Sequence, residues 1–358
     1  MGGFREIEKN EVLNLWSKAT HEELQVYIHN PFCPSRCNFC CYQGVLHNKK
    51  DCDLYYKKNL PKTIEMYKEV IGGGSKVKSW FFGGGTPSLA SAEVLENTIS
   101  KLPNFSDGKK TFEIHPNFWH VDQLDLLKER GFDNVIIGIQ SFNFELLKRV
   151  NRVPASLSKI RELIEELKKR KINVLIDLIF LMEGKNKSKE SNIFEEDIIK
   201  ALSFEPAELT LQLNFNKDYG KNESIMFANS IINALKRNTS NYDFHSPIFK
   251  KETFEFKFFK DMAHSKPWKI IRLIRDDLVS DFEKEEFVGF LGQEPKTMSP
   301  GRSLLGMGSY NNEENYIFEK TNNTGSGKMT FSNINMDEKI FLVVEVTTGS
   351  ETKFLLCD

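Results

Sequence analysis

The sequence has no long apolar segment and no large excess of charge of either sign. We find no run of about 18 apolar residues, the length a membrane-spanning helix requires, and the N-terminal stretch MGGFREIEKNEV contains no apolar signal core. The formal net charge is −1, and acidic and basic residues are interspersed. These absences predict a soluble, cytoplasmic protein with no membrane partner and no nucleic-acid partner.

Cysteine is scarce and unevenly placed. The chain of 358 residues has six cysteines, and Cys33, Cys37, Cys40 and Cys41 fall within one short stretch. In a chain without a secretory signal, such clustering argues against a disulfide framework and favours a metal or redox site. We interpret Cys41 as a spare thiol. The remaining two, Cys52 and Cys357, are interpreted as ordinary buried cysteines.

Apolar segments of strand length alternate with helical patterns over the first 215 residues. This alternation is typical of parallel βα units. The helix expected at 156–171, for example, has Ser156 as its N-cap and one apolar face. The six predicted strands span residues 24–30, 77–85, 110–116, 134–142, 173–182 and 207–215.

Six βα units are too few for an eight-stranded barrel, so we predict an α/β fold with a partial (β/α)6 TIM-like barrel. Beyond about residue 240 the pattern changes to aromatic-rich and Gly/Asn/Thr-rich segments, which indicate a C-terminal α+β addition. The predicted domains are an N-terminal extension (1–23), the barrel (24–220) and a C-terminal accessory region (221–358).

The cysteine cluster reads C-x3-C-x2-C and directly follows the first predicted strand. Pro31 and Pro34 disfavour a helix there, so a loop can bring three thiolates together. Three cysteines leave one iron of a [4Fe–4S] cluster open to another ligand. The predicted metal ligands are Cys33, Cys37 and Cys40. A zinc site is the alternative, and its fourth ligand would come from His29, His47 or Cys52.

Polar and glycine residues mark the ends of other predicted strands. The stretch FFGGGTP, residues 81–87, allows a ligand to approach the backbone closely, although a flexible turn is the simpler interpretation. Glu113, Gln140 and Asp177 interrupt apolar strands and need polar partners, either a shared ligand or neighbouring loops. Arg152 could bind a ligand carboxylate or could be a surface charge. Ligands of parallel α/β folds bind at these carboxyl ends.

These motifs resemble those of the radical S-adenosylmethionine superfamily, and within it the oxygen-independent coproporphyrinogen III oxidase family and its relatives. The similar segments are YIHNPFCPSRCNFC, FFGGGTPS, IGIQSFN and IDLIF, in the family's order, over residues 24–215. The resemblance implies a [4Fe–4S] cluster and one or two molecules of S-adenosylmethionine as cofactors. It also implies an external electron donor such as flavodoxin or ferredoxin.

The resemblance assigns a role to each matching residue. The three cysteines would hold the cluster and Phe39 would shield it. Tyr27 and His29 would lie beside the cofactor, and Tyr27 and Asp177 are the catalytic candidates. The segment meeting the methionine amino group would be Gly84, Gly85 and Thr86. The other contacts to the first S-adenosylmethionine would come from Glu113, Arg152 and, at the ribose, Gln140, whereas Asp177 would contact a second. On this assignment, Gly85→Val should weaken cofactor binding and spare the cluster.

Two departures concern the reaction. The oxidase carries a further cysteine where this chain has Tyr42, and its long N-terminal arm has no counterpart here. The sequence therefore predicts a radical S-adenosylmethionine enzyme that modifies a small molecule or peptide, for example by C-methylation or ring formation. The alternatives are an anaerobic tetrapyrrole oxidase and a heme chaperone without catalysis.

Overall fold

Six parallel strands form the centre of the fold. The computed structural model describes residues 4–8, 10–11, 14, 23–40, 45–72, 76–214 and 221–237, and short strands between 242 and 357. The strands are β1 (Glu23–Asn30), β2 (Lys76–Gly84), β3 (Lys109–Ile114), β4 (Asn134–Gln140), β5 (Asn173–Phe180) and β6 (Glu208–Leu213). Each is hydrogen-bonded to the next in parallel, in chain order. The predicted six-stranded parallel sheet is confirmed.

Helices follow the strands, as the βα pattern predicts. They are α1 (Lys49–Leu54), α2 (Leu60–Gly72), α3 (Ala92–Ile99), α4 (Val121–Glu129), α5 (Phe144–Arg149), α6 (Leu157–Lys169), α7 (Lys187–Leu202) and α8 (Lys221–Arg237). A five-residue π-helix, Tyr55–Asn59, separates α1 from α2, and a 3₁₀ turn spans Pro87–Leu89. The predicted cap of α6 is confirmed, since Ser156 Oγ accepts a hydrogen bond from the Lys159 N–H.

The predicted element ends need small corrections. The β2 and β4 strands end before the residues predicted. β2 ends at Gly84, where φ is +114°, and β4 ends at Gln140, where φ is +70°. A left-handed conformation stops the pleat, so each chain turns inward one or two residues early. Cys41 and Tyr42 lie outside the described residues.

Additional strands extend the sheet at both edges. Ile270–Arg275 pairs antiparallel with β6, and Phe290–Leu291 pairs in parallel with β1. A separate four-stranded sheet joins Phe4–Ile7 to strands of the C-terminal region, namely Arg302–Ser309, Ile340–Thr348 and Glu351–Cys357. The remaining short strands are Phe32–Cys33, Val45–Leu46, Tyr242–Asp243, Phe249–Lys250, Thr253–Phe254, Phe318–Glu319 and Lys328–Met329. The predicted domain boundaries stay predictions.

Side-chain alternation separates a helix-facing apolar layer from a polar interior. In β4, Val135, Ile137 and Ile139 are buried under the helices, while Gly138 and Gln140 alternate with them on the opposite face. The parallel register carries this alternation from strand to strand, so the polar residues of several strands face one interior. Among the described helices, none combines the length and apolarity that crossing a membrane requires.

Candidate functional site

The cysteine loop begins where β1 ends and is closed by a short parallel strand pair. Phe32 pairs with Val45 and Cys33 with Leu46, and the His47 N–H donates to the Cys33 carbonyl at 2.9 Å. The three predicted ligands, Cys33, Cys37 and Cys40, form no disulfide bond and are of intermediate exposure.

The C-terminal end of α5 and the turn after it hold the other side of this loop. The Asn38 N–H donates to the Val150 carbonyl and the Asn151 Nδ2 donates to the Arg36 carbonyl, each at 2.8 Å. Phe39 is 7% exposed and belongs to an apolar cluster with Cys37 and Cys40 at its edge; its other buried members are Leu146, Leu147, Val150 and Met182. Phe39 thus covers two of the cysteines, as its predicted shielding role requires.

The glycine turn after β2 packs directly on the cysteine loop. The Gly85 N–H donates to the Asn30 carbonyl at 2.6 Å. A Cβ on Gly85 would overlap the Phe32 carbonyl oxygen and lie 2.8 Å from Cys33 Sγ, closer than real Cβ atoms come to their neighbours. The expectation that Gly85→Val spares the cluster is therefore wrong in its premise, because the space beside Gly85 is occupied by the loop that carries Cys33.

The second glycine of the turn joins β2 to the interior of the barrel. Gly84 has a φ of +114°, and a Cβ there would lie 2.6 Å from the His29 imidazole, so only glycine fits. Its N–H donates to Glu113 Oε2 at 3.0 Å. Thr86 is buried and caps the 3₁₀ turn at Pro87–Leu89. The turn thus connects the cysteine loop on one side to Glu113 on the other.

Two acidic residues share the interior. Burial, together with the charge of Asp177, raises the pKa of Glu113 to about 8, and the Gly84 N–H opposes this rise. The structure therefore brings these two predicted site residues, from strands β3 and β5, within electrostatic range. The pair favours a cationic group, such as an ammonium, over a second anion.

Arg152 lies between the interior and the cysteines. Its guanidinium donates to the Gly138 carbonyl, and Nη1 lies 3.8 Å from Cys37 Sγ. Burial and the neighbouring thiols Cys40 and Cys37 raise the pKa of Cys33 to about 12, and the Arg152 charge opposes this rise. Arg152 is thus a part of the site and not a solvated surface charge.

Gln140 presents an unused acceptor at the end of β4. Its Oε1 is buried and, among the described residues, has no hydrogen-bond partner. The strand register shifts between Gly138 and Gln140, which aims the side chain differently from a regular strand residue. A buried acceptor of this kind suits a ligand hydroxyl, as the predicted ribose contact requires.

A buried acid that sequence reasoning missed holds the segment after Gln140. Asp197, on α7, accepts hydrogen bonds from Ser141 Oγ and from the Phe142 N–H, the latter at 2.9 Å. Burial raises the pKa of Asp197 to about 7, against these two bonds. The signal was present in the sequence, since Asp197 occupies a position on the apolar face formed by Phe194, Ile198 and Ala201.

Two tyrosines, also missed, fix the end of β1. Tyr55 donates to the His29 carbonyl, and the Tyr56 hydroxyl donates to Asn30 Oδ1 at 2.9 Å. On the interior face, the Tyr27 hydroxyl and His29 Nδ1 are 2.9 Å apart. The predicted Tyr27 and His29 therefore lie side by side, on a strand end held from outside.

The structure brings the predicted residues of five strand ends to one edge of the sheet. Cys37 and Cys40 lie near enough to Cys33 to raise its pKa, a guanidinium lies beside Cys37, and the interior behind them is acidic. This donor chemistry suits an iron–sulfur cluster and a ligand that carries an ammonium group. Within the described residues, no three His, Cys, Asp or Glu side chains are arranged around a single metal ion.

A partial parallel barrel with a three-cysteine loop at the carboxyl end of β1 defines a class of cofactor-dependent enzymes. The Radical SAM superfamily model matches residues 27–195 of this chain. This similarity implies a [4Fe–4S] cluster and S-adenosylmethionine as cofactors.

Three known proteins show the range of the similarity. Anaerobilin synthase of Escherichia coli O157:H7 is 29% identical over 190 residues, which are 50% of this chain and 42% of that protein. Heme chaperone HemW of Lactococcus lactis is 28% identical over 163 residues, 44% of this chain and 41% of the relative. The chain thus aligns with less than half the length of each.

The fold is shared with the coproporphyrinogen III oxidase HemN from Escherichia coli, described as a Radical SAM enzyme. The two structures superpose with a TM-score of 0.62 at 19% identity, covering 81% of this chain and 68% of the oxidase. This likeness confirms the predicted partial TIM-like barrel.

Proposed function

We propose that Cys33, Cys37 and Cys40 bind a [4Fe–4S] cluster, and that the residues behind it bind S-adenosylmethionine for a radical reaction on a small molecule or peptide. The observation that carries the proposal is the contact of the glycine turn with both the cysteine loop and Glu113. One short segment thereby fixes the distance between a metal-binding loop and an acidic interior.

When bound, the two cofactors supply one-electron cleavage to methionine and a 5′-deoxyadenosyl radical, which abstracts hydrogen from the substrate. The chain's own residues bind and orient. Glu113, which would lose its proton on binding, accepts the ammonium group, because a cation nearby stabilises the charged carboxylate. Gln140 Oε1 accepts from a ribose hydroxyl, and Arg152 faces the carboxylate.

The barrel also limits access of water. Phe39 and its apolar cluster cover Cys37 and Cys40, and the tyrosine-held end of β1 closes the neighbouring side. Excluding water protects a reactive intermediate from side reactions.

Cluster loading and cofactor cleavage test this proposal directly. Anaerobically reconstituted protein should hold about four iron and four sulfide ions. With dithionite and S-adenosylmethionine it should form 5′-deoxyadenosine, measured by mass spectrometry. Replacing Cys33, Cys37 and Cys40 with alanine should abolish both, whereas Cys52→Ala, a buried thiol outside the loop, should retain them. Stoichiometric zinc without labile sulfide would overturn the proposal.

Methyl transfer with a second S-adenosylmethionine rests on Asp177. Its carboxylate faces the interior that also holds Glu113, and a second cationic cofactor would satisfy both charges. Asp177→Asn should therefore spare 5′-deoxyadenosine formation but lower the transfer of methyl label into product. If wild-type protein with its substrate forms no S-adenosylhomocysteine and no labelled product, a single S-adenosylmethionine suffices.

Three similar proteins favour two alternatives, which simple assays separate. Similarity to the oxidase and the synthase supports a tetrapyrrole substrate, and incubation with coproporphyrinogen III would then give a product of lower mass by decarboxylation. Similarity to the heme chaperone supports heme carriage. In that case, heme titration would give a stable Soret band without substrate turnover.

A further inference from the structure

Two exposed apolar residues lie one strand spacing from the cysteine loop. Val45 is 47% exposed and Leu46 is 54% exposed. Leu46 pairs in parallel with Cys33, so their backbones are separated by about 4.8 Å, the spacing of neighbouring strands. The protein surface and a predicted cluster ligand are therefore adjacent at this point.

Basic residues are concentrated in the same part of the chain. Six exposed basic side chains occur between residues 31 and 62, namely Arg36, Lys49, Lys50, Lys57, Lys58 and Lys62. The acidic residues in this range are Asp51 and Asp53. Since the whole chain has a formal net charge of −1, the positive charge is local. We call the six basic residues, with Val45 and Leu46, the basic surface.

Hydrogen bonds tie the elements that carry these lysines to the metal-binding end of β1. α1 begins at Lys49, two residues after His47, whose N–H donates to the Cys33 carbonyl. Lys57 and Lys58 lie on the π-helix, whose tyrosines donate to the end of β1. The positive charges are thus fixed relative to the loop.

A charge run on a helix is most often a solvated face, and two observations argue for more here. Among the described residues, Lys57 is the one member of the six in an ion pair, with Asp53 at 3.7 Å. The others keep their charge available to a partner. The exposed Val45 and Leu46 add an apolar spot, and an apolar centre with a polar rim is typical of protein interfaces.

We propose that the basic surface is the docking site of an acidic one-electron carrier protein, such as a reduced flavodoxin or ferredoxin. One electron leaves the carrier's flavin or iron–sulfur centre and enters the cluster held by the cysteine loop, and no bond forms or breaks in the protein. This inference rests on the proposed function, because the loop needs a reductant once a cluster is bound. Contacts of this kind are small and steered by opposite charge.

Charge reversal tests the docking site. The variant Lys49→Glu/Lys50→Glu reverses two charges in the first turn of α1, where acidic residues are compatible with the helix dipole. At low ionic strength, reduction of the cluster by reduced flavodoxin should slow at least tenfold, about the lower limit of electrostatic steering. Reduction by dithionite should be unchanged, and added salt should diminish the difference between variant and wild type.

The matched control is Lys159→Glu/Lys189→Glu. Both lysines are exposed and lie in the first turns of α6 and α7, so the net charge changes equally at a comparable helix position. The proposal predicts wild-type rates for this control. It is overturned if both double variants slow flavodoxin equally or if neither does.

A binding measurement separates this proposal from the proposed function. Oxidised flavodoxin should bind the wild-type protein and bind Lys49→Glu/Lys50→Glu at least tenfold more weakly, whether or not a cluster is loaded. Failure to load a cluster would overturn the proposed function but not the docking site. An unchanged affinity of flavodoxin for Lys49→Glu/Lys50→Glu would overturn the docking site. A DNA oligonucleotide that displaces flavodoxin and binds the basic surface more tightly would also overturn it.

Discussion

Gly85 offers the sharpest test of how the site is assembled. Gly85→Ala adds one methyl group, and its φ lies outside the left-handed region, so backbone strain does not complicate the change. The new Cβ would lie 2.8 Å from the backbone carbonyl carbon of Phe32, whereas ordinary contact begins at 3.4 Å. The cysteine loop and the glycine turn must therefore separate by about 0.6 Å or more, the difference between these distances, against backbone atoms that cannot rotate away.

This separation would also stretch the hydrogen bond from the Gly85 N–H to the Asn30 carbonyl. Overpacking of this kind costs about 1–3 kcal/mol, and each 1.4 kcal/mol is about tenfold in an equilibrium constant. We expect Gly85→Ala to lower the affinity for both the cluster and S-adenosylmethionine about tenfold to a hundredfold.

Iron content after anaerobic reconstitution and calorimetric titration of S-adenosylmethionine measure the two effects. Gly72→Ala is the control, since its Cβ would meet Pro103 at an ordinary 3.5 Å. Full cluster loading and wild-type affinity in Gly85→Ala would refute the close packing of turn and loop.

Three further changes test other parts of the site. Because the pKa of Glu113 is raised, the folded apoprotein holds a proton between about pH 4.5 and 8 that the unfolded chain lacks. The Tm should therefore fall as pH rises through that window, and Glu113→Gln should make the fall smaller. Parallel Tm profiles of the variant and the wild type would contradict this assignment. Asp197→Asn weakens two buried hydrogen bonds and should lower the free energy of unfolding, measured in urea, by about 1–3 kcal/mol. The control Glu196→Gln changes an exposed neighbour and should lower it by less than about 1 kcal/mol. Equal losses would argue against a structural role of Asp197. Asn151→Gly can still adopt the positive φ of 57° but loses the side-chain hydrogen bond to the Arg36 carbonyl. A chelator should therefore remove iron from the cluster several-fold faster. An unchanged rate would show that this hydrogen bond does not hold the cysteine loop.

The sequence predicted the six strands because each has buried apolar residues, which alternate with interior-facing residues at its C-terminal end, between segments of helical pattern. Their N-terminal ends were correct to within one residue, while the C-terminal ends of all strands but β1 were predicted one or two residues too long. At Gly84 and Gln140 the chain turns through a left-handed conformation, which apolar periodicity does not record. The errors therefore fall at the carboxyl edge of the sheet, which carries the candidate site and where the strand ends depart from regular side-chain alternation.

Site residues whose side-chain chemistry conflicts with an apolar strand were also predictable. A carboxylate in an apolar strand, such as Glu113 or Asp177, needs a partner wherever it is buried. The electrostatic coupling of these two residues was not predictable, because it depends on the register between β3 and β5 through β4. Asn151 gave no signal, since its bond to Arg36 joins residues far apart in the chain and involves a backbone carbonyl.

The cysteine loop illustrates why such contacts matter more than the identity of most side chains in it. Three separate elements hold the loop: the strand pair with Val45–Leu46, the turn after α5 and the turn at Gly85. Each contact involves a backbone group of the loop, so substitutions between the cysteines leave the anchors in place. The thiols need no strong mutual attraction to converge, which is important because burial and crowding raise the pKa of Cys33 and oppose ionisation. In the proposed holoprotein, a positively charged cluster core would reverse that opposition, because it stabilises thiolates. The backbone contacts would then position the loop before the cluster binds.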